Sequence, residues 1–283
     1  MLKKESFHSL TEKMSKNPKV AAGVGAAVVL VAFFALNSIF HFTGGYGAFI
    51  DSIIAKNIKA RGGVDSWSKV STLRLSGQMD LGKGLHVPYT LEQKRPGKMC
   101  LEFLFNKQTA TQCVNGKTGW KVLPFQGRNA PEPMTKKDLA GYVGMTEIDG
   151  LLSSSEKMGN DISYEGKTKT DNGHNLLKLE LTLPTGAKRW LYIDEETGLE
   201  TKMELTRLHR GKEELVETSF SDWRNKDGLL IPFRQETKAK SDKKSHFVTI
   251  ESVQVNPPID DARFKMPVKR IKKATTATGN KAS

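Results

Sequence analysis

Between residues 73 and 255 the chain repeats one pattern, an apolar side chain at every second position, in short runs separated by turn residues. Leu73, Leu75, Gly77 and Met79 fall on one face of an extended segment, as do Val87, Tyr89 and Leu91. Met99, Leu101, Phe103 and Phe105 follow the same rule, and Leu177, Leu179, Leu181 and Leu183 alternate with Lys178, Glu180 and Thr182. A strand sends successive side chains to opposite faces, so a period of two specifies strands with one buried face and one wet face.

Further strands are expected over 119–123, 188–193, 199–208, 213–223, 231–237 and 246–255, and turn chemistry separates them: Asn115-Gly116, Pro184-Thr185-Gly186, Glu196-Thr197-Gly198 and Asp227-Gly228. Roughly ten strands joined by short hairpins make an antiparallel meander. Helical spacing of Phe49, Ile50, Ile53, Ile54 and Ile58 predicts a helix over 47–61, stopped by Gly62-Gly63. Residues 131–158 break the strand pattern, and Thr135-Lys136-Lys137-Asp138 and Thr146-Glu147-Ile148-Asp149 read as helix starts. So many one-sided strands create one continuous apolar surface, either filled by the protein's own helices or partly left for a ligand. Met79, Tyr89, Met99, Phe103, Trp120, Phe125, Trp190 and Met203 are read as lying on it.

The only cysteines, Cys100 and Cys113, flank a probable-turn dipeptide, Asn106-Lys107. A two-residue turn there sets the two sulfurs opposite one another across the ladder, a geometry that accepts a disulfide. The alternative is a pair of free thiols.

The N-terminal region places the chain. Residues 20–36 carry no charge, and residues 20–41 are long enough as a helix to cross a bilayer. Lys13, Lys16 and Lys19 precede the apolar run while residues 43–47 carry no charge, so the positive-inside rule keeps the N-terminus in the cytoplasm and exports the rest. The alternative is a cleaved signal peptide and a soluble periplasmic product. The net charge of +13 divides accordingly: +3 in a basic segment over 1–19 and +5 in a tail over 269–283 without apolar periodicity. The rest carries only +5, which argues against a nucleic-acid-binding surface.

Motifs for chemistry are missing. His8, His41, His86, His174, His209 and His246 have no zinc-ligand spacing, and there is no phosphate loop and no Gly-x-Ser-x-Gly elbow. We expect neither an enzyme nor a resident metal or cofactor.

Several segments carry a resemblance. Lys94-Arg95-Pro96-Gly97, then Asn115-Gly116-Lys117-Thr118-Gly119-Trp120 and Leu123-Pro124-Phe125, are similar in kind and order to motifs of LolA, the periplasmic lipoprotein carrier, and its outer-membrane lipoprotein-sorting relatives. Phe220-Ser221-Asp222-Trp223, residues 227–233 and Phe264-Lys265-Met266-Pro267 fit the same family. The resemblance covers about residues 48–268. It implies a fold that is mainly β with α: an incomplete antiparallel β-barrel of about ten to eleven strands covered by helices, here preceded by one transmembrane helix and a Gly-rich linker over 42–47.

The resemblance also implies an acyl-binding cavity, lined here by Leu75, Met79, Tyr89, Leu91, Met99, Leu101, Phe103, Trp120, Phe125, Leu179, Leu181, Trp190 and Met203. It implies a role for Arg95 as the latch of a helical lid. The sequence departs from the carrier in its membrane anchor, in Gly119 before Trp120 and in Leu123 before Pro124. The expected function is therefore a membrane-anchored periplasmic protein that binds acyl chains of lipids or lipoproteins, at the inner membrane of a Gram-negative bacterium. The alternative is an envelope sensor or scaffold whose partner is an inner-membrane protein complex.

Overall fold

The computed structural model describes residues 47–80, 85–209, 212–241 and 245–267. The basic segment 1–19, the predicted span 20–41, the tail 269–283 and the linker up to residue 46 lie outside the described residues. No helix among the described residues is long and apolar enough to cross a membrane. The chain divides into two compact units, 1–52 and 53–283. Residues 47–60 are helical, and residues 53–60 of that run, α1, belong to the second unit.

The second unit is built on one antiparallel sheet of 13 strands. The first six are β1 (Thr72–Asp80), β2 (His86–Lys94), β3 (Lys98–Phe105), β4 (Gln108–Asn115), β5 (Thr118–Leu123) and β6 (Arg128–Pro133). After an insertion come β7 (Asp161–Lys169), β8 (Asn175–Thr182), β9 (Lys188–Asp194), β10 (Glu200–His209), β11 (Lys212–Lys226), β12 (Leu229–Ala239) and β13 (His246–Val255). The sheet order is β6-β5-β4-β3-β2-β1-β13-β12-β11-β10-β9-β8-β7. The chain thus enters at the middle, walks to one edge, crosses through residues 134–160 to the opposite edge and walks back to the middle. Closing this circuit is the β1–β13 pair, with Leu73 opposite Val255 and Leu75 opposite Val253.

The sheet has two or three more strands than the meander read from sequence. The missed strands, β6 and β7, are its two edges. An edge strand pairs on one side only, so it tolerates Pro131 and Pro133 in β6 and the largely polar Asp161–Lys169 run of β7.

Local chemistry sets the register. Asn106 and Lys107 both take positive φ, 49° and 60°, making a two-residue turn between Phe105 and Gln108. That turn pairs Cys100 with Cys113, and the two are joined in a disulfide. Where β1 meets β13 the register slips between Ser76 and Gly77. A β-carbon at Gly77 would lie 1.9 Å from the Thr249 carbonyl oxygen, so only glycine allows this close strand approach.

Small helices cover one face of the sheet: α1, α2 (Val64–Ser68), and the insertion with α3 (Lys136–Ala140), a 3-10 turn (Val143–Met145) and α4 (Ser155–Met158). Thr135 starts α3 with a capping box, its hydroxyl accepting from the Asp138 amide while the Asp138 carboxylate accepts from the Thr135 amide. The other predicted start, Thr146, leads into turns, and α4 begins only at Ser155. Trp67 of α2 and Ile148 pack on Leu73, Ile231, Phe233 and Ile250. Ile53 of α1 and Leu152 pack on Leu177, Leu179, Leu181 and Leu191. Met134, Leu139, Tyr142 and Met145 pack on Met99, Val114 and Leu101. On the opposite face, at β3–β5, a strap after β13 lays Ile259 and Phe264 on Cys100, Cys113 and Trp120.

Candidate functional site

The helix-covered face is the candidate site, and strand register shows which side chains reach it. Leu75 stands opposite Leu91, which stands opposite Leu101; Gly77, Tyr89 and Phe103 form the next row, and Met79 pairs with Val87. In the other half Tyr164, Leu179, Leu191 and Met203 form one row across four strands. Leu75, Met79, Tyr89, Leu91, Met99, Leu101, Phe103, Leu179, Leu181 and Met203 therefore all belong to this face. Met99, Leu179 and Leu181 are fully buried on it. Burying each such side chain stabilises by about 2 kcal/mol, so the insertion is held down mainly by apolar contact. Burial also pushes the Tyr89 phenol up to about 12.

Two expected members lie elsewhere. Trp120 pairs with Cys113, on the opposite face, and its indole N–H donates to the Phe264 carbonyl at 3.1 Å. Trp190 pairs with Glu180 and Glu204, also on the opposite face, where it donates to Glu180 at 3.0 Å and lies 5.6 Å from the Lys178 ammonium. Parity decides Trp190, which sits one position out of phase with Leu191 and Ile193; Trp120 shares its side of β5 with Val122, and the strap makes that side apolar. Aromatic identity alone suggested burial in the cavity, but an indole also serves a strap or a charged face. The side chain of Phe125 lies outside the described residues.

Polar contacts hold the insertion at three places. Arg95, in the turn between β2 and β3, pairs through both terminal nitrogens with Asp149, Nη1 to Oδ2 at 2.7 Å. It also donates to the carbonyls of Val70 (2.6 Å) and Trp67 (3.1 Å). Arg61 donates to the Asp149 carbonyl at 2.9 Å, lies 3.5 Å from Glu200 and stacks 5.0 Å from the Trp67 ring centre. Gln93 donates to the Met145 carbonyl at 2.7 Å. Lys121, on the covered face, reaches Asp138 at 2.9 Å and, with the Thr135 amide, holds that carboxyl down to about 2. Of these, only Arg95 was singled out from sequence. Asp149 entered only as the last residue of an expected helix start, Arg61, Gln93 and Lys121 carry no motif, and the partners of all four are remote in the chain.

Two surface depressions, about 370 Å³ beside Gly173, His174 and Glu195 and about 650 Å³ beside Thr72, Lys94 and Pro258, lie on turns and border none of the expected cavity residues. Among the described residues no group of three or more His, Cys, Asp or Glu could hold a metal ion. This face is apolar area beneath a cover pinned by polar contacts.

No family model matches the chain, and no curated protein sequence matches it. Solved structures do. A LolA superfamily protein from Nitrosomonas europaea superposes with a TM-score of 0.54 at 13% identity, covering 76% of this chain and 96% of that one. The domain has a LolA-like fold. A DUF1329 family protein from Desulfovibrio piger matches with a TM-score of 0.53 at 12% identity, over 76% of this chain and 97% of its own. A Vibrio parahaemolyticus domain assigned as an outer membrane lipoprotein-sorting protein matches with a TM-score of 0.51 at 14% identity, over 75% and 94%. The likeness is one of fold, at 12–14% identity.

Proposed function

We propose that this protein binds acyl chains of a lipid or lipoprotein on the helix-covered face, in lipoprotein or lipid sorting toward the outer membrane. One observation carries the reading: an apolar face running through both halves of the sheet is covered by an insertion that polar contacts pin at Asp138, Met145 and Asp149. Acyl chains gain about 0.8 kcal/mol per buried methylene, so such a ligand needs area and a movable cover rather than polar specificity. The helices would lift, with Arg95 and Asp149 as the latch, and the chain would take the place of Leu152, Met145 and their neighbours on the strands. No covalent step is involved.

The apolar run over 20–41, with lysines before it, supports a single-pass anchor in the inner membrane, and the Cys100–Cys113 disulfide fits an oxidising periplasm. An anchored domain receives or hands on acyl chains beside the membrane instead of diffusing across. Protein extracted from its own membrane and analysed by native mass spectrometry should carry acyl lipid, and photoreactive fatty acids should label residues of β1–β3 and β8–β10. Protein free of lipid, with no label on those strands, would overturn the proposal.

A further inference from the structure

Besides Lys121, the covered face carries the half-buried Arg189, near the start of β9. Register aligns Ile162, Leu181, Arg189, Leu205, Val216 and Ala239 in a single row across six strands. Every neighbour of Arg189 in that row is apolar, and Leu181, Val216 and Ala239 are buried. The guanidinium runs beneath the insertion: a β-carbon on Gly144 would sit 2.7 Å from Nη1, and 3.3 Å from Leu151. The insertion backbone at Gly144 thus passes directly over the arginine.

Arg61 and Arg95 show how this molecule treats arginines in such settings, since each has a carboxylate within reach. Arg189 has none among the described residues. Burial pushes its guanidinium below the usual value with no acid acting in the other direction. The insertion could have supplied one, yet Asp138 is held by Lys121, Glu147 by Lys157 and Asp149 by Arg95, and Glu156 is exposed on α4. Arginine does not shed its charge under such burial, so the face keeps an uncompensated cation that an incoming anion would stabilise. From Arg189 the same face continues along β9 through Leu191 and Ile193, an apolar track of about 13 Å.

We propose that Arg189 receives the anionic headgroup of a single-tailed amphiphile, a carboxylate or a phosphate monoester, whose chain lies along the apolar track of β8–β10. This rests on the acyl-binding reading above and adds selectivity to it. A planar guanidinium meets either group with two parallel hydrogen bonds, whereas a neutral alcohol or ester offers no charge.

The test uses the full chain in native membranes and three diazirine probes of equal chain length: a fatty acid, a lysophosphatidic acid and the fatty alcohol. Cross-links are mapped by mass spectrometry. In the wild type either acidic probe should label β8–β10 about tenfold more than the alcohol, as expected when a charged hydrogen-bond partner is lost, and the better of the two names the headgroup. Arg189→Gln should abolish that preference, and Arg189→Lys should keep part of it. Equal labelling by acidic and neutral probes in the wild type would overturn the role of Arg189 while leaving acyl binding intact. Absence of label on this face with all three probes would overturn the acyl-binding reading itself. The wild-type comparison stands even if a variant fails to fold.

Discussion

Arg95 and Asp149 are 54 residues apart in the chain, and the guanidinium of one holds both carboxylate oxygens of the other. One comes from a tight turn of the sheet, the other from the insertion that covers it, so the pair ties the cover to its frame. Replacing Arg95 with Ala should destabilise the domain by about 2 kcal/mol, the range of a charged hydrogen bond left unmade. Asp149→Asn should cost less, because Arg95 keeps the Val70 and Trp67 carbonyls. Hydrogen exchange over 143–152 should quicken in both variants. Wild-type exchange rates in that segment would show that the pair does not latch the cover.

The other end of the cover depends on pH. Asp138 titrates near 2 in the folded chain against 3.8 ordinarily, chiefly through its contact with Lys121. A folded-state value below the unfolded one means that the contact contributes fully above about pH 4 and is lost as the pH falls toward 2. Protection of amides over 134–142, corrected for intrinsic exchange, should hold from pH 7 to 4 and then fall. In Asp138→Asn that segment should be less protected at pH 7 and should lose the step. A step that survives in the variant would assign it to another acid.

The Cys100–Cys113 bridge closes a loop across 13 residues between paired strands. Loop-closure entropy gives it about 3 kcal/mol, model-dependent but near that size. Cys100→Ser with Cys113→Ser should lower the urea midpoint accordingly and steepen the slope, because the unfolded chain expands once the loop is open. The loss should also loosen the strap, since the Arg263 carbonyl lies 3.4 Å from the Cys100 sulfur and Phe264 packs on the pair. An unchanged midpoint would show that strand pairing alone sets this register.

The two faces should respond differently to mutation. Leu179 is fully buried on the covered face, and Leu179→Ala should cost about 2–5 kcal/mol and alter acyl labelling of β8–β10. Trp190→Phe, on the opposite face, should leave that labelling unchanged. Labelling lost in Trp190→Phe would place ligand on the wrong side of the sheet.

Much of this was legible along the chain. Period-two alternation at Leu73, Leu75, Leu177 and Leu179 identified strands and their buried side, because the physics of a pleat is local. The Asn106-Lys107 turn let the 100–113 pairing be counted out in advance. Edge strands β6 and β7 escaped because a strand with one partner needs neither apolar alternation nor a free amide at every position. Trp190 was misassigned by side-chain type where parity would have placed it correctly, whereas Trp120 shares its side with Val122 and only the strap accounts for its burial on that face. The same parity, applied over Lys188–Asp194, puts Arg189 with Leu191 and Ile193 on the apolar side.

Sequence by itself determined that the chain makes a one-sided antiparallel sheet, where its hairpins turn and which of its segments interrupts the strands. Those properties come from neighbours two to four residues apart. Only the tertiary structure decided that β1 and β13 close the sheet, that Asp149 meets Arg95 and Arg61, and that Arg189 lies under the cover with no acid beside it among the described residues. Each of these is set by burying the apolar face across elements distant in the chain, a constraint no local pattern encodes.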